Sequence, residues 1–126
     1  VWATKPEDLT GPSLELLNNH SVHFIQTNQL HQVLNEVELR GIPRIQERET
    51  IKTSRILDWW SKGRSLDPIY LQKNRNRLQV RDGRHRLRVS IDLDLEKVAA
   101  LLDSATLAWL NTRGVQTWKV SSTSIA

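Results

Sequence analysis

Leu78-Gln79-Val80-Arg81-Asp82-Gly83-Arg84-His85-Arg86-Leu87 is the stretch whose reading decides the fold of this chain. Leu78 and Val80 alternate with Gln79 and Arg81, the period of a half-buried strand. Asp82-Gly83 then interrupts the pattern with turn residues. The residues beyond Gly83 admit two readings. Leu87, Val89, Ile91, Leu93 and Leu95 alternate as a strand would. Leu87, Ser90, Ile91 and Asp94 also fall at helical spacing, with Leu87 and Ile91 toward a core. Periodicity by itself favours the strand.

As a strand-to-helix turn, the segment has a definite chemistry. Gly83 permits a positive φ and close approach of backbone to a ligand. The first-turn amides of a helix lack internal partners, and its dipole favours an anion in front of them. Arg84 and Arg86 carry planar donor forks suited to phosphate oxygens. His85 is a further donor, or a proton shuttle near neutral pH. Asp82 is able to cap the helix, hold an arginine or ligate a phosphate-bound metal ion, the cap being the simplest role. Catalytic candidates are therefore His85 and Asp82, phosphate-binding candidates are Gly83, Arg84, His85 and Arg86, and Asp82 is the one candidate metal ligand.

Charge concentrates at the same place. The chain has 126 residues and a net charge of +4. Residues 73–88 hold six arginines and one lysine against one aspartate, a local +6 that leaves about −2 for the remainder. A local basic patch attracts phosphate-bearing ligands, and Arg75, Arg77, Arg81 and Arg88 are its candidate nucleic-acid contacts. The plainer alternative is a solvated arginine face. Composition otherwise describes an ordinary globular domain, 38% hydrophobic and 25% charged, with a mean hydropathy of -0.48. There is no apolar run of membrane-spanning length and no signal-peptide pattern, so no membrane partner is expected. With no cysteine, disulfides, thiolate metal sites and thiol nucleophiles are excluded. The four histidines lack metal-ligand spacing, so no zinc site is expected. With no methionine either, Val1 is not expected to be a translation start. A processed product, or a piece of a longer protein, is expected instead.

Outward from the turn, the chain reads as one domain over 1–126. Gly11-Pro12 opens a short helix through Leu14, Leu16 and Leu17. His20 to Gln26 reads as a strand, with Val22 and Phe24 alternating against His23. Thr27 or Asn28 caps a helix carrying Leu30, Val33, Leu34 and Val37, which Gly41-Ile42-Pro43 stops. After a charged loop, Thr50 or Thr53 caps a helix with Ile56, Leu57 and Trp60 on one face, closed by Gly63. Ser65 to Pro68 is a connector, because Pro68 biases Asp67 toward extended backbone. Ile69-Tyr70-Leu71 and Leu78-Gln79-Val80 form a hairpin around the turn 73–76. Lys97 to Leu102 reads as a final core strand or its approach, Asp103 or Ser104 as the cap of a helix through Leu107 and Leu110, and Val115 to Val120 as an edge strand after Gly114.

This order resembles the ParB/sulfiredoxin superfamily. The matching residues are Arg55-Ile56, Gly63, Leu66-Asp67-Pro68-Ile69-Tyr70-Leu71 and Leu78-Gln79-Val80-Arg81-Asp82-Gly83-Arg84-His85-Arg86-Leu87, over a core of about 22–102. Leu93-Asp94-Leu95 falls at the family's linker before its closing strand. The resemblance implies an α+β domain, a small mixed sheet with flanking helices. It also implies a helix over 84–92, against the alternation. By resemblance, Arg84, His85, Arg86 and the turn amides bind the phosphates of ATP or CTP, with Mg2+ as a companion ion.

Departures from the family narrow the chemistry. Sulfiredoxin uses a cysteine in this turn, which is absent here. Chromosome-partitioning ParB proteins carry Gly-Glu-Arg-Arg in the turn and a following helix-turn-helix domain, where this chain has His85 and no expected appendage. The resemblance thus implies a nucleotide- or nucleic-acid-binding domain that hydrolyses phosphate bonds, of nuclease or ATPase type. The alternatives are a non-catalytic binding switch, or a toxin domain cut from a larger protein. The expected partners are a nucleotide and DNA or RNA, and the expected location is the cytoplasm unless the domain is an exported effector.

Overall fold

Val98-Ala99-Ala100-Leu101-Leu102 has no polar residue to give to solvent, so a strand built from it needs cover on both faces. A computed structural model of the chain, which describes residues 2–9, 11–34, 51–62 and 65–120, provides that cover. A 3-10 turn (Pro6–Asp8) precedes α1 (Gly11–Leu16), β1 (Ser21–Gln26), α2 (Thr27–Val33) and α3 (Ile51–Ser61). The hairpin β2 (Ile69–Asn74) and β3 (Arg77–Asp82) comes next, then α4 (Arg84–Asp92), β4 (Lys97–Leu102), α5 (Ser104–Thr112) and β5 (Thr117–Lys119).

The strands make one five-stranded sheet in the order β3-β2-β4-β1-β5. β2 runs parallel to β4, and the other neighbours are antiparallel. On one face Val98, Ala100 and Leu102 join Ile25, Ile69, Leu71, Leu78 and Val80, beneath Leu30 of α2, Leu87 of α4 and Leu110 of α5. On the other face Ala99, Leu101 and Val22 pack with Trp2, Leu16, Leu17 and Tyr70 from the N-terminal segment and β2. The molecule is therefore a compact α+β domain, its helices flanking a mixed sheet.

Several local expectations change. α2 is capped by Gln26, whose Oε1 accepts from the Gln29 amide at 2.7 Å, rather than by Thr27 or Asn28. Thr27 is instead the first helical residue and is buried. Val37, Gly41-Ile42-Pro43, Thr50 and Gly63 lie outside the described residues, and Thr53 falls inside α3. The hairpin turn is shorter than 73–76, because the strands pair up to Asn74 and Arg77. Only Arg75 and Asn76 remain to turn the chain, and Arg75 takes a φ of 58°. β5 likewise contracts to three residues. Val115 turns into the core, and Val120 keeps one amide bond to Val22.

α5 begins at Asp103, whose carboxylate accepts from the Thr106 amide at 2.8 Å. It braces the hairpin. Thr106 Oγ1 accepts from the Lys73 amide at 3.0 Å, and Arg113 donates to Asn76 Oδ1 at 2.6 Å. Thr106 is fully buried, so a Thr106→Val substitution leaves the Lys73 amide without its acceptor. The expected cost is about 1–3 kcal/mol, read as a lower urea midpoint with unchanged m.

Candidate functional site

The residues after Asp82 are helical because Gly83 makes them so. Its φ of 97° and ψ of 22° turn the chain directly from β3 into α4, a conformation side-chain-bearing residues resist. Space is restricted as well. A Cβ on Gly83 would lie 2.7 Å from Ile69 Cγ2 and 2.9 Å from Ile69 Cβ. The alternation that favours a strand is partly accidental. Leu87 and Val89 are buried, but Leu93 is 45% exposed and Leu95 lies past the helix end.

Gly83 has no side chain to cap α4, and the first helical bond runs from the Leu87 amide to its carbonyl at 2.9 Å. Arg84 at the mouth of the turn is exposed, and His85 beside it is half-buried. Arg86 behaves differently. One guanidinium nitrogen donates to the Asp67 carbonyl at 2.8 Å, and the other pairs with Asp82 Oδ2 at 3.1 Å. Asp67 is itself held by the Ser13 hydroxyl at 3.2 Å. Arg86 thus ties the start of α4 to the segment entering β2. Its side chain is 15% exposed, while its partner Asp82 is 67% exposed. Of the two arginines suited to phosphate, Arg84 is the outward one and Arg86 is the tether.

The basic patch divides in the same way. Arg75, Arg77 and Arg81 are exposed. Arg81 falls at an irregularity of the β2–β3 register, where Tyr70 pairs with Asp82 and Leu71 with Val80. Such a bulge strengthens local twist and re-aims the side chain. Arg88 is withdrawn from that surface. Its side chain is 14% exposed and its Nε lies 3.9 Å from Asp92 Oδ2, so it runs along α4 rather than toward a nucleic acid. Among the described residues no three His, Asp or Glu side chains converge to hold a metal ion, Asp82 included.

A concave region away from the turn has no counterpart among the sequence motifs. A cleft of about 360 Å³ is lined by His20, His23, Asp103, Ser104 and Lys119, among others. In the sequence His23 is the polar member of an alternating strand, yet it is 4% exposed, because β1 is an inner strand with both faces covered. Its Nε2 lies 2.9 Å from Ser21 Oγ. Burial, and secondarily the Lys119 charge opposite it, holds its pKa below the ordinary imidazole range. Burial pushes the Asp103 carboxyl up, but hydrogen bonds from Thr106 and the proximity of His20 outweigh it and hold the group low. Only the topology, which sets Lys119 directly across from His23, reveals this cluster.

Two outcomes are expected. Gly83→Ala combines a left-handed backbone with a clash against Ile69 and should cost about 2–4 kcal/mol, measured by denaturant unfolding. Because the folded pKa of His23 is lowered, the unfolded chain takes up a proton first as acid is added. Its contribution is complete above about pH 6.5 and is lost as pH falls through the folded value. A His23→Gln variant should therefore show a flatter stability profile below that pH than the parent chain.

No family model, curated protein or solved structure matches this chain.

Proposed function

We propose that the β3–α4 turn binds the phosphate of a nucleotide or nucleic acid. The observation that carries the reading is the left-handed Gly83, which opens α4 without a side-chain cap and sets exposed Arg84 beside the helix's first amides. Helix amides, a favourable dipole end and a guanidinium fork are together the chemistry of phosphate recognition. Membership of the ParB/sulfiredoxin superfamily is part of the proposal. It is supported by the order of α3, a Pro68-Ile69 strand, the hairpin, the turn, α4 and a closing β4. ATP or CTP is the corresponding ligand.

The residues fit phosphates better than a bare cation. Asp82 is engaged by Arg86, so Mg2+ would come mainly on the phosphates it screens. Binding is accordingly the first reading. Hydrolysis is the second, supported by His85 and Asp82 flanking the same turn, where a proton acceptor and a carboxylate stand near the bound phosphate.

Titration calorimetry with ATP, CTP and inorganic phosphate, with and without Mg2+, tests the site, and phosphate release tests the reaction. Arg84→Ala should weaken binding at least about tenfold, the loss of one charge-assisted contact, while leaving the melting temperature near that of the parent. Unchanged affinity in that variant would sink the assignment. Arg86→Ala should lower both stability and affinity, because it unties the turn.

A further inference from the structure

The hairpin carries a surface that a single nucleotide at Gly83 does not use. β2 pairs with β4 only through Ile69 and Tyr70. From Gln72 to Asn74, then, β2 has β3 on one side and stands beyond Leu102, the end of β4, so the tip of the two-stranded ribbon projects from the sheet. Leu71, Leu78 and Val80 bury its inner face. On the outer face Gln72 lies opposite Gln79 and Asn74 opposite Arg77, since directly paired residues share a face. Arg77 and Asn74 are exposed, and Gln72 and Gln79 are half-exposed. Beyond the Tyr70–Asp82 pair at its base, this face carries amides and a guanidinium.

We infer that this ribbon docks into the major groove of duplex DNA, with the Gly83–Arg84 turn holding the flanking phosphate backbone. In the latter respect the inference rests on the phosphate reading of the turn. Three observations support it. The major groove admits a two-stranded ribbon, and arginine, asparagine and glutamine are the side chains that pair with guanine and adenine edges there. The six residues of β3 span about 20 Å, so a mononucleotide seated at Gly83 leaves Arg77 and the strained Arg75 at the hairpin tip unused, whereas a polymer of phosphates reaches them. The bracing of the tip by Thr106 and Arg113 keeps the ribbon rigid, so little ordering is needed on docking. Duplex RNA is a poor fit, because its major groove is deep and narrow. The ribbon from Gln72 to Gln79 also has no aromatic residue on which single-stranded bases would stack.

Fluorescence anisotropy with a random-sequence 20-base-pair DNA duplex, an RNA duplex of equal length and ATP tests the inference on the full chain. The DNA duplex should bind at least about tenfold more tightly than the RNA duplex. Arg77→Ala and Gln79→Ala should each lower DNA affinity at least about fivefold and leave ATP affinity unchanged. Arg77→Ala should also reduce the slope of log affinity against log salt by about one if it touches phosphate, while Gln79→Ala should leave that slope alone. ATP binding with equal or absent duplex binding overturns the ribbon and leaves the turn reading standing. Loss of both takes down both. DNA binding that falls with the ribbon variants but not with Arg84→Ala supports the ribbon and removes the turn as its anchor.

Discussion

A missing methyl group at residue 83 governs the distance between the start of β2 and the start of α4. With no Cβ on Gly83, its backbone lies directly against Ile69, and α4 leaves the sheet at once. The tether from Arg86 to the Asp67 carbonyl then closes the same junction from the other side. Everything that faces the mouth of the turn is placed by these two contacts. Ile69 is also one of the two residues through which β2 joins β4, so the close approach links the hairpin, the central strand and the helix in one position.

The fold was legible where local chemistry and burial agreed. The core strand ending at Leu102, a helix cap at Asp103 or Ser104 and the break at Gly83 could be read from residue types alone. The helix after Gly83 could not, because Leu93 and Leu95 extend an alternation that has no structural meaning once Leu93 is exposed. The two-residue turn at Arg75 was also hidden, since glycine or asparagine is the usual sign of a left-handed turn position. The Gln26 cap was hidden for a similar reason: Thr27 is the better capping type, but burial claims it first.

The candidate site was legible as a composition and illegible as an arrangement. Four arginines near the turn look equivalent in the sequence, yet Arg86 and Arg88 turn inward while Arg81 and Arg84 turn outward. Helical periodicity separates them only after the helix is granted. The His23 cluster needs still more, because Lys119 and Asp103 reach it from strands and loops far apart in the chain. Its signal lies in pairing, which a single sequence does not display. The result is a hairpin that gathers exposed arginines and a histidine-lined cleft near the opposite edge of the sheet.

The position of β4 between β1 and β2 has a kinetic consequence. Gln26 pairs with Lys97 and Ser21 with Leu102, so the innermost antiparallel pair closes a loop of roughly seventy residues, at a large entropic cost. The β2–β3 hairpin closes over only a few residues. Assembly should therefore begin with the hairpin and α4, and β1 should join late, because both its partners, β4 and β5, lie about seventy or more residues further along the chain. An inner strand of the sheet is then the late one. Substitutions in the hairpin should slow folding, whereas those at the β1 contact should act mainly by hastening unfolding.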